Sequence, residues 1–592
     1  MTVRVGWAAV VWLTMGVGAV RAVGPAAGGD MRNIRHGLPI PAKNYCDQPY
    51  IVIMPDGNWL CTLTTGKGEE GQPGQHVVST ISTDQGRTWS PLVDIEPPDG
   101  PEASWVVPLL TPSRRVYVFY DYNGDRLAPH EVGGRMLYRF DMLGWYCYRY
   151  SDDFGRSWSA ERYRLPVRVT ACDRHNDWQG KVQIFWGIDK PKIHDGVVMF
   201  GFSKLGRYML DDGEGWFFRS DNILTEPDVS KIRWEMLPEG EHGVRDAAFG
   251  SVQEEHNLVF LHNGDVYCIY RTTMGFPCHA YSRDGGRSWT RPEAATYTPG
   301  GRTIKNPRAN AKVWKTQNGR FLLWYHNHGG TDFRFRNPAW LAGGIEKDGH
   351  IHWSQPEILL YDPNPDTRMS YPDLIEQDGR YWISETQKEI ARVHELDPEL
   401  LEGLWNQGRE RAITTQGQVL ALQGPDRLPA QANLPRLPDL VEGQGITLDL
   451  WLTLESLAEG QTVLDTRDAT GRGLALTTTA QGTLRLDLAD SGTKAHWDCD
   501  PGLLRAGERH HIGVVIDAGP RIITFIVDGQ VCDGGTVRQY GWGRFPSELV
   551  SVNGSSTMTI APSVRGRLES LRVYNRALRN SEVIAHYHAG MR

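Results

Sequence analysis

Ser82-Thr83-Asp84-Gln85-Gly86-Arg87-Thr88-Trp89 is the stretch on which the fold turns, because it comes back. It returns as Ser151-Asp152-Asp153-Phe154-Gly155-Arg156-Ser157-Trp158 and as Ser282-Arg283-Asp284-Gly285-Gly286-Arg287-Ser288-Trp289. In such an octapeptide the Asp can accept hydrogen bonds from its own turn, the Gly takes positive φ at little cost, and the Trp packs between sheets. A looser copy keeps the Asp-to-Trp spacing at Asp348 and Trp353 with Gly349 one place early, and Ser220-Asp221 before Trp234 reads as a copy with an insertion.

A second repeat is a tight turn followed by an apolar strand. It occurs at Asp56-Gly57, Ser113-Arg114, Asp195-Gly196, Asn263-Gly264, Asn318-Gly319 and Asp378-Gly379. Asn-Gly and Asp-Gly favour hairpin turns. Repeated hairpin units of this kind predict a six-bladed β-propeller over residues 30–405.

Composition agrees with an all-β chain. In 592 residues there are 65 Gly, 35 Pro and 21 Trp, a mixture that suits many turns and an aromatic interior. The net charge of −8 supplies no basic field, which argues against a nucleic-acid partner. The apolar run from Val5 to Val20, after Arg4 and before Val20-Arg21-Ala22, reads as a signal peptide over residues 1–22, and so as export to the periplasm, cell surface or medium. The run is too short for a membrane span, so no membrane insertion is expected. Among the eight cysteines there is no CxxC pair to suggest zinc, and no metal or other cofactor is implied. In an exported chain, Cys46 with Cys61, Cys268 with Cys278 and Cys499 with Cys532 are plausible disulfide staples.

After Glu399-Leu400-Leu401, a short helix, the pattern changes to a linker over residues 406–440 and then to new strands. Ile446–Leu452, Leu474–Thr478, Leu484–Leu488, His511–Ile516 and Ile522–Val527 read as the strands of a β-jelly-roll sandwich over residues 441–592. The closing segment Leu568 to Leu578, with a helix at Asn580 to Tyr587, resembles the end of laminin-G-like, concanavalin A-like domains. With its own apolar strands, the sandwich is not expected to be needed for folding of the chain up to about residue 410.

The octapeptide resembles the Asp box of sialidases and related propellers, where it is structural, and the resemblance extends block by block over residues 45–390. Glu255 through His262-Asn263-Gly264 to Arg271 resembles the family stretch from a catalytic Glu to the second arginine of a carboxylate-binding triad. Arg336, in Arg336-Asn337-Pro338-Ala339-Trp340-Leu341, lies where the third arginine is expected, with Arg334 as a near competitor. Tyr371-Pro372-Asp373-Leu374 resembles the family's Tyr-Ser-Asp-Leu, whose Tyr is the nucleophile, and Glu385 fits a further family carboxylate. In the first unit, Cys46-Asp47-Gln48-Pro49 puts Asp47 where sialidases carry an arginine. The acid/base Asp is not evident; Gln72 falls nearest by count, with Glu69 and Glu70 close by, and Glu70 is the candidate proton donor.

The chemistry explains why these residue types belong together. A phenol with an ordinary pKa of ~10 is a poor nucleophile until a carboxylate in contact takes its proton. A neutral Tyr also avoids repulsion with an acidic sugar, and Arg271 and Arg336 would grip the sugar's carboxylate. The resemblance therefore implies a retaining exo-glycosidase acting on a terminal acidic sugar, with a glycan as its partner. Two other readings stand beside it. A polysaccharide lyase would use Tyr371 with a histidine from His326 and His328 or from His350 and His352, and a propeller that only binds glycans would need neither.

Overall fold

The computed structural model describes residues 29–129, 131–132, 135–136, 139–206, 211–424 and 428–591. The expected signal peptide lies outside the described residues. Strands make up 41% of the structure and helices 7%, so the chain is all-β.

The described residues between 38 and 395 form six antiparallel sheets of four or five strands, besides a two-stranded ribbon. Each of the six tight turns read from the sequence joins two neighbouring strands of one of these sheets. Asp56-Gly57 lies between Tyr45–Ile53 and Trp59–Gly66, for example, and Asp378-Gly379 between Ser370–Gln377 and Arg380–Thr386. The sixth sheet is completed from the other end of the chain, where Leu38–Ile40 pairs with Ala391–Glu395. Three of the second strands, Trp59–Gly66, Val116–Tyr122 and Val266–Thr272, are buried at every position, because sheets cover them on both faces.

The three octapeptides close hairpins in one way. The Ser82 hydroxyl accepts from Gly86 N–H at 2.8 Å and donates to Asp84, whose carboxylate accepts from the Thr88 backbone and hydroxyl. Ser151 with Asp153 and Ser282 with Asp284 repeat this wiring. In the inserted copy it is Asn222 that pairs with Ser220 and accepts from Arg233 N–H, just before Trp234. The looser copy at Asp348 is no box: Asp348 and Gly349 are a two-residue turn, both with positive φ, between Lys347 and His350.

All eight cysteines are free and buried, so none of the expected staples forms. In the first sheet Cys46 stands opposite Thr65 while Cys61 stands opposite Ile51, and in the fourth Cys268 faces Ala280 while Cys278 faces Tyr270. Cys499 and Cys532 each accept a backbone N–H instead.

After the helix Pro398–Asn406, two further sheets of seven and six strands enclose one apolar core that includes Leu450, Leu476, Ile512 and Phe525. The expected strands all form, and Asn580–Gly590 is the closing helix. This sandwich is not a free appendage. Ile522 and Trp542 share a buried cluster with Tyr297, Tyr325 and Trp340 of the first unit. The Trp542 indole donates to Asn327 O at 3.0 Å, and Arg32 pairs with Asp517 at 2.6 Å. The Glu357 carboxylate accepts the N–H groups of Asn580 and Ser581 at 3.0 and 2.7 Å, capping the closing helix across the junction.

Ending the chain after residue 410 therefore uncovers Trp340 and its neighbours. Such a protein is expected to self-associate in size-exclusion chromatography, and Trp542→Ala is expected to destabilise the full chain by about 3 kcal/mol in thermal or urea unfolding. A monomeric truncated protein that melts like the full chain would show that the first unit does not need this cover.

Candidate active site

Four of the six inner strands are irregular at the same end. Their pairing register slips between Asp47 and Tyr50, between Ser104 and Val107, between Glu254 and Asn257, and between Ser370 and Asp373. At each slip one residue takes positive φ: Gln48 at 50°, Trp105 at 58°, Glu255 at 61° and Tyr371 at 48°. A left-handed non-glycine residue costs about 1–3 kcal/mol and persists only where its surroundings hold it. A bulge also re-aims side chains, and here it brings Glu255 and Tyr371 together. The Tyr371 hydroxyl donates to Glu255 Oε1 at 2.8 Å.

Around this pair the charges form two linked groups. In one, Arg271 pairs with Glu255 at 2.6 Å and with Glu254 at 2.8 Å, and Arg308 reaches Glu254 at 3.0 Å. In the other, Lys388 pairs with Asp47 at 2.7 Å and Glu70 at 3.2 Å, and Arg139 pairs with Glu70 at 3.2 Å and Asp141 at 3.0 Å. Lys388 joins the two, its Nζ lying 4.3 Å from the centroid of the Tyr371 ring. Trp105 and Trp186 form an aromatic wall with ring centroids 5.8 Å apart, and the Arg271 guanidinium lies 5.7 Å from the Trp186 ring.

Burial, and then the charge of Glu255, push the Tyr371 hydroxyl up to about 12 against the pull of Lys388 and Arg271. It is a neutral phenol throughout the physiological range. Burial would raise Glu254, but Arg271 and Arg308 outweigh it and hold that carboxyl below its usual value. At Glu70 likewise Lys388 and Arg139 outweigh burial and hold the carboxyl well below the usual range. Glu70 is thus charged at neutral pH, which does not suit the proton-donor role expected of it. Burial wins at Asp47, whose carboxyl is raised, and at Asp141, which is raised to about 6.

The expected residues are therefore mostly neighbours. Tyr371, Glu255 and Arg271 are in direct contact, and Asp47 and Glu70 reach them through Lys388. Arg336, 5% exposed, donates to Ser370 Oγ at 2.7 Å and to Arg308 O at 3.1 Å. No carboxylate pairs with it among the described residues. Its competitor Arg334 pairs with Asp332 at the surface. Glu385 stands apart: it is buried against His394 at 3.1 Å and contacts Gln387. Its neighbours Ser384 and Thr386 bond Pro49 O and Cys46 O on the first sheet, and alternation along the strand turns Glu385 the other way. Lys388, Arg308, Arg139 and Glu254 were not singled out from the sequence. Only Glu254, adjacent to Glu255, carried a signal.

The sandwich reaches this region indirectly. The segment bearing Arg336 is held by Gln539 O, which accepts from Gly329 N–H at 2.8 Å, and by Arg544, which donates to Asn337 O at 3.1 Å.

Family models match three stretches. Residues 211–383 match a BNR repeat-like domain, residues 80–91 a BNR/Asp-box repeat, and residues 429–584 the concanavalin A-like lectin/glucanases superfamily. The chain joins a BNR-repeat domain to a concanavalin A-like domain. No curated protein matches the sequence. Among solved structures, a Dyadobacter fermentans protein of unknown function is similar at 16% identity over 61% of this chain and 97% of its own, with a TM-score of 0.45. Trypanosoma rangeli sialidase in complex with sialic acid is similar at 13% identity over 96% of this chain and 99% of its own, TM-score 0.44. A leech intramolecular trans-sialidase is similar at 14% identity over 66% and 72%, TM-score 0.43. All three likenesses are distant.

In the first unit, Lys388→Met leaves Asp47 and Glu70 short of their shared cation, and breaking such a buried pair costs about 3–5 kcal/mol. Because the native Glu70 carboxyl is depressed, its stabilising contribution is present above its unfolded value of 4.5 and is lost as pH falls below that. The stability gap between wild type and Lys388→Met in urea unfolding is therefore expected to narrow from pH 6 to pH 3; a gap that stays constant would mean that Lys388 does not neutralise these carboxylates.

Proposed function

We propose that this chain is an exported, retaining glycoside hydrolase of the sialidase type, which removes a terminal sugar from glycans with Tyr371 as nucleophile. The observation that carries the reading is the 2.8 Å hydrogen bond from Tyr371 to Glu255 in a site that also holds guanidinium groups. In this reading the six sheets of residues 30–405 are the blades of a propeller. Support comes from one tight turn per sheet and from Leu38–Ile40 pairing with Ala391–Glu395 to tie the chain's start to its last sheet. Residues 406–440 are the linker and 441–592 the sandwich. The apolar stretch before residue 22 supports export.

Tyr371 Oη attacks the anomeric carbon while Glu255 takes its proton, and the bond to the leaving oxygen breaks. That oxygen needs a proton. Asp47 is the candidate donor, since burial raises its affinity for one and it lies a single Lys388 nitrogen away from Tyr371. Water then attacks the glycosyl-tyrosine and gives up its proton to Asp47, while the Glu255 proton returns to Tyr371. A substrate carboxylate would find Arg271 already shared by Glu254 and Glu255, and Asp47 in the place of a first arginine. Arg336 is the guanidinium left to hold it, so the reading favours an acidic sugar gripped at one point rather than three. The lyase reading is weaker, because His326 and His328 use ring nitrogens on Pro338 O and Phe335 O, away from the Tyr371 hydroxyl.

Tyr371→Phe and Glu255→Gln are each expected to keep the fold and to lower turnover of aryl sialosides, uronides or related glycosides by about 10² or more. A 2- or 3-fluoro analogue of the sugar that is turned over should add its glycosyl mass to the peptide containing Tyr371. Wild-type turnover in both variants, or ultraviolet-absorbing unsaturated products, would sink the hydrolase reading.

A further inference from the structure

We propose that the opposite end of the central space from Tyr371 is a second ligand site, which takes a small organic anion, a carboxylate on an apolar body, with Lys312 as its charge partner. The bulges set the Tyr371 group at the start of the inner strands. Followed toward their hairpin turns, the same strands line a cavity of about 640 Å³, to which all six sheets contribute: Ile53, Leu110, His194, Phe260, Trp314 and Ile375 are one residue from each. That volume lies in the ~300–1,000 Å³ range of small-molecule sites.

The walls are mostly apolar, but Lys190, Lys192, Lys312 and Asp373 also line the cavity. Lys190 is satisfied by Asp373 at 2.6 Å and by Ile51 O at 2.9 Å, and Lys192 pairs with Asp189. Lys312, 1% exposed, makes one hydrogen bond among the described residues, to Ile188 O at 2.6 Å, and lies 3.8 Å from the Asp189 oxygen that Lys192 already holds. An ammonium group has three donors. Three ammonium groups thus share two carboxylates, and a buried charge without its own counter-ion is unfavourable. A ligand carboxylate supplies the missing charge, and the apolar walls select against a bare inorganic anion. The groups facing Lys312 are Asp189, Lys190, Lys192 and Asp373, with the Tyr50 ring 5.0 Å from its nitrogen. Burial, and then Lys192, bring the Lys312 amine down to about 7, so an anion that binds there should draw in a proton at alkaline pH.

The site is independent of the hydrolase reading, and calorimetric titration of the full chain with 2-naphthoate tests it. One saturable site per chain is expected, with net proton uptake at pH 8.5 seen as a dependence of the heat on the buffer. Naphthalene-2-methanol, the same body without the charge, should bind at least tenfold more weakly. Lys312→Met should lose affinity by a similar factor, and Tyr371→Phe should leave it unchanged. No saturation in the millimolar range, equal binding of the neutral analogue, or loss of binding in Tyr371→Phe would overturn the proposal. The neutral analogue tests the charge in the wild-type protein, so the result stands even where Lys312→Met does not fold.

Discussion

An extra residue with positive φ, taken up at the same end of four inner strands, is the constraint from which the candidate site follows. A regular strand alternates its side chains between two faces. The bulge interrupts that alternation, so that Glu254 and Glu255 both find partners at one mouth of the central space and Tyr371 turns its hydroxyl to Glu255. The backbone conformation is unfavourable for Gln48, Trp105, Glu255 and Tyr371 alike. What holds it is the surrounding stack of sheets, buried on both faces, together with the charges that the bulged residues meet.

Those charges are arranged so that nearly every buried ion has an opposite neighbour. Arg271 and Arg308 serve Glu254 and Glu255, while Lys388 and Arg139 serve Asp47, Glu70 and Asp141. Such a network leaves Tyr371 between a carboxylate that accepts its hydrogen bond and a lysine that favours its deprotonated form. Arg336 at one mouth has no carboxylate partner among the described residues, and Lys312 at the other shares Asp189 with Lys192. Unmatched charge at a buried position points to something that arrives from outside.

The two units are mechanically connected. Trp542 fills the side of the fifth sheet, and Arg544 and Gln539 hold the backbone of the segment that carries Arg336. A sandwich with a complete core of its own thus also shapes the site's rim.

Repeats made the all-β class and the sheet-forming hairpins readable from the sequence alone. Six tight turns mark six sheets, and the Ser-Asp-Gly-Trp octapeptide specifies its own hydrogen bonds, because its donors and acceptors lie within four residues of one another. The strands of the sandwich were legible for the same reason, as local runs of apolar residues. Tyr371, Glu255 and Arg271 could be singled out through resemblance, since each sits in a recognisable local stretch. Lys388 could not: it lies in a turn with no motif, and its role depends on Asp47 and Glu70, more than 300 positions away in the chain. Register decided against pairing Cys46 with Cys61 and Cys268 with Cys278, and strand alternation turned Glu385 toward His394. Contacts between residues distant in sequence are set by how sheets pack, and only the tertiary structure decides which charge meets which.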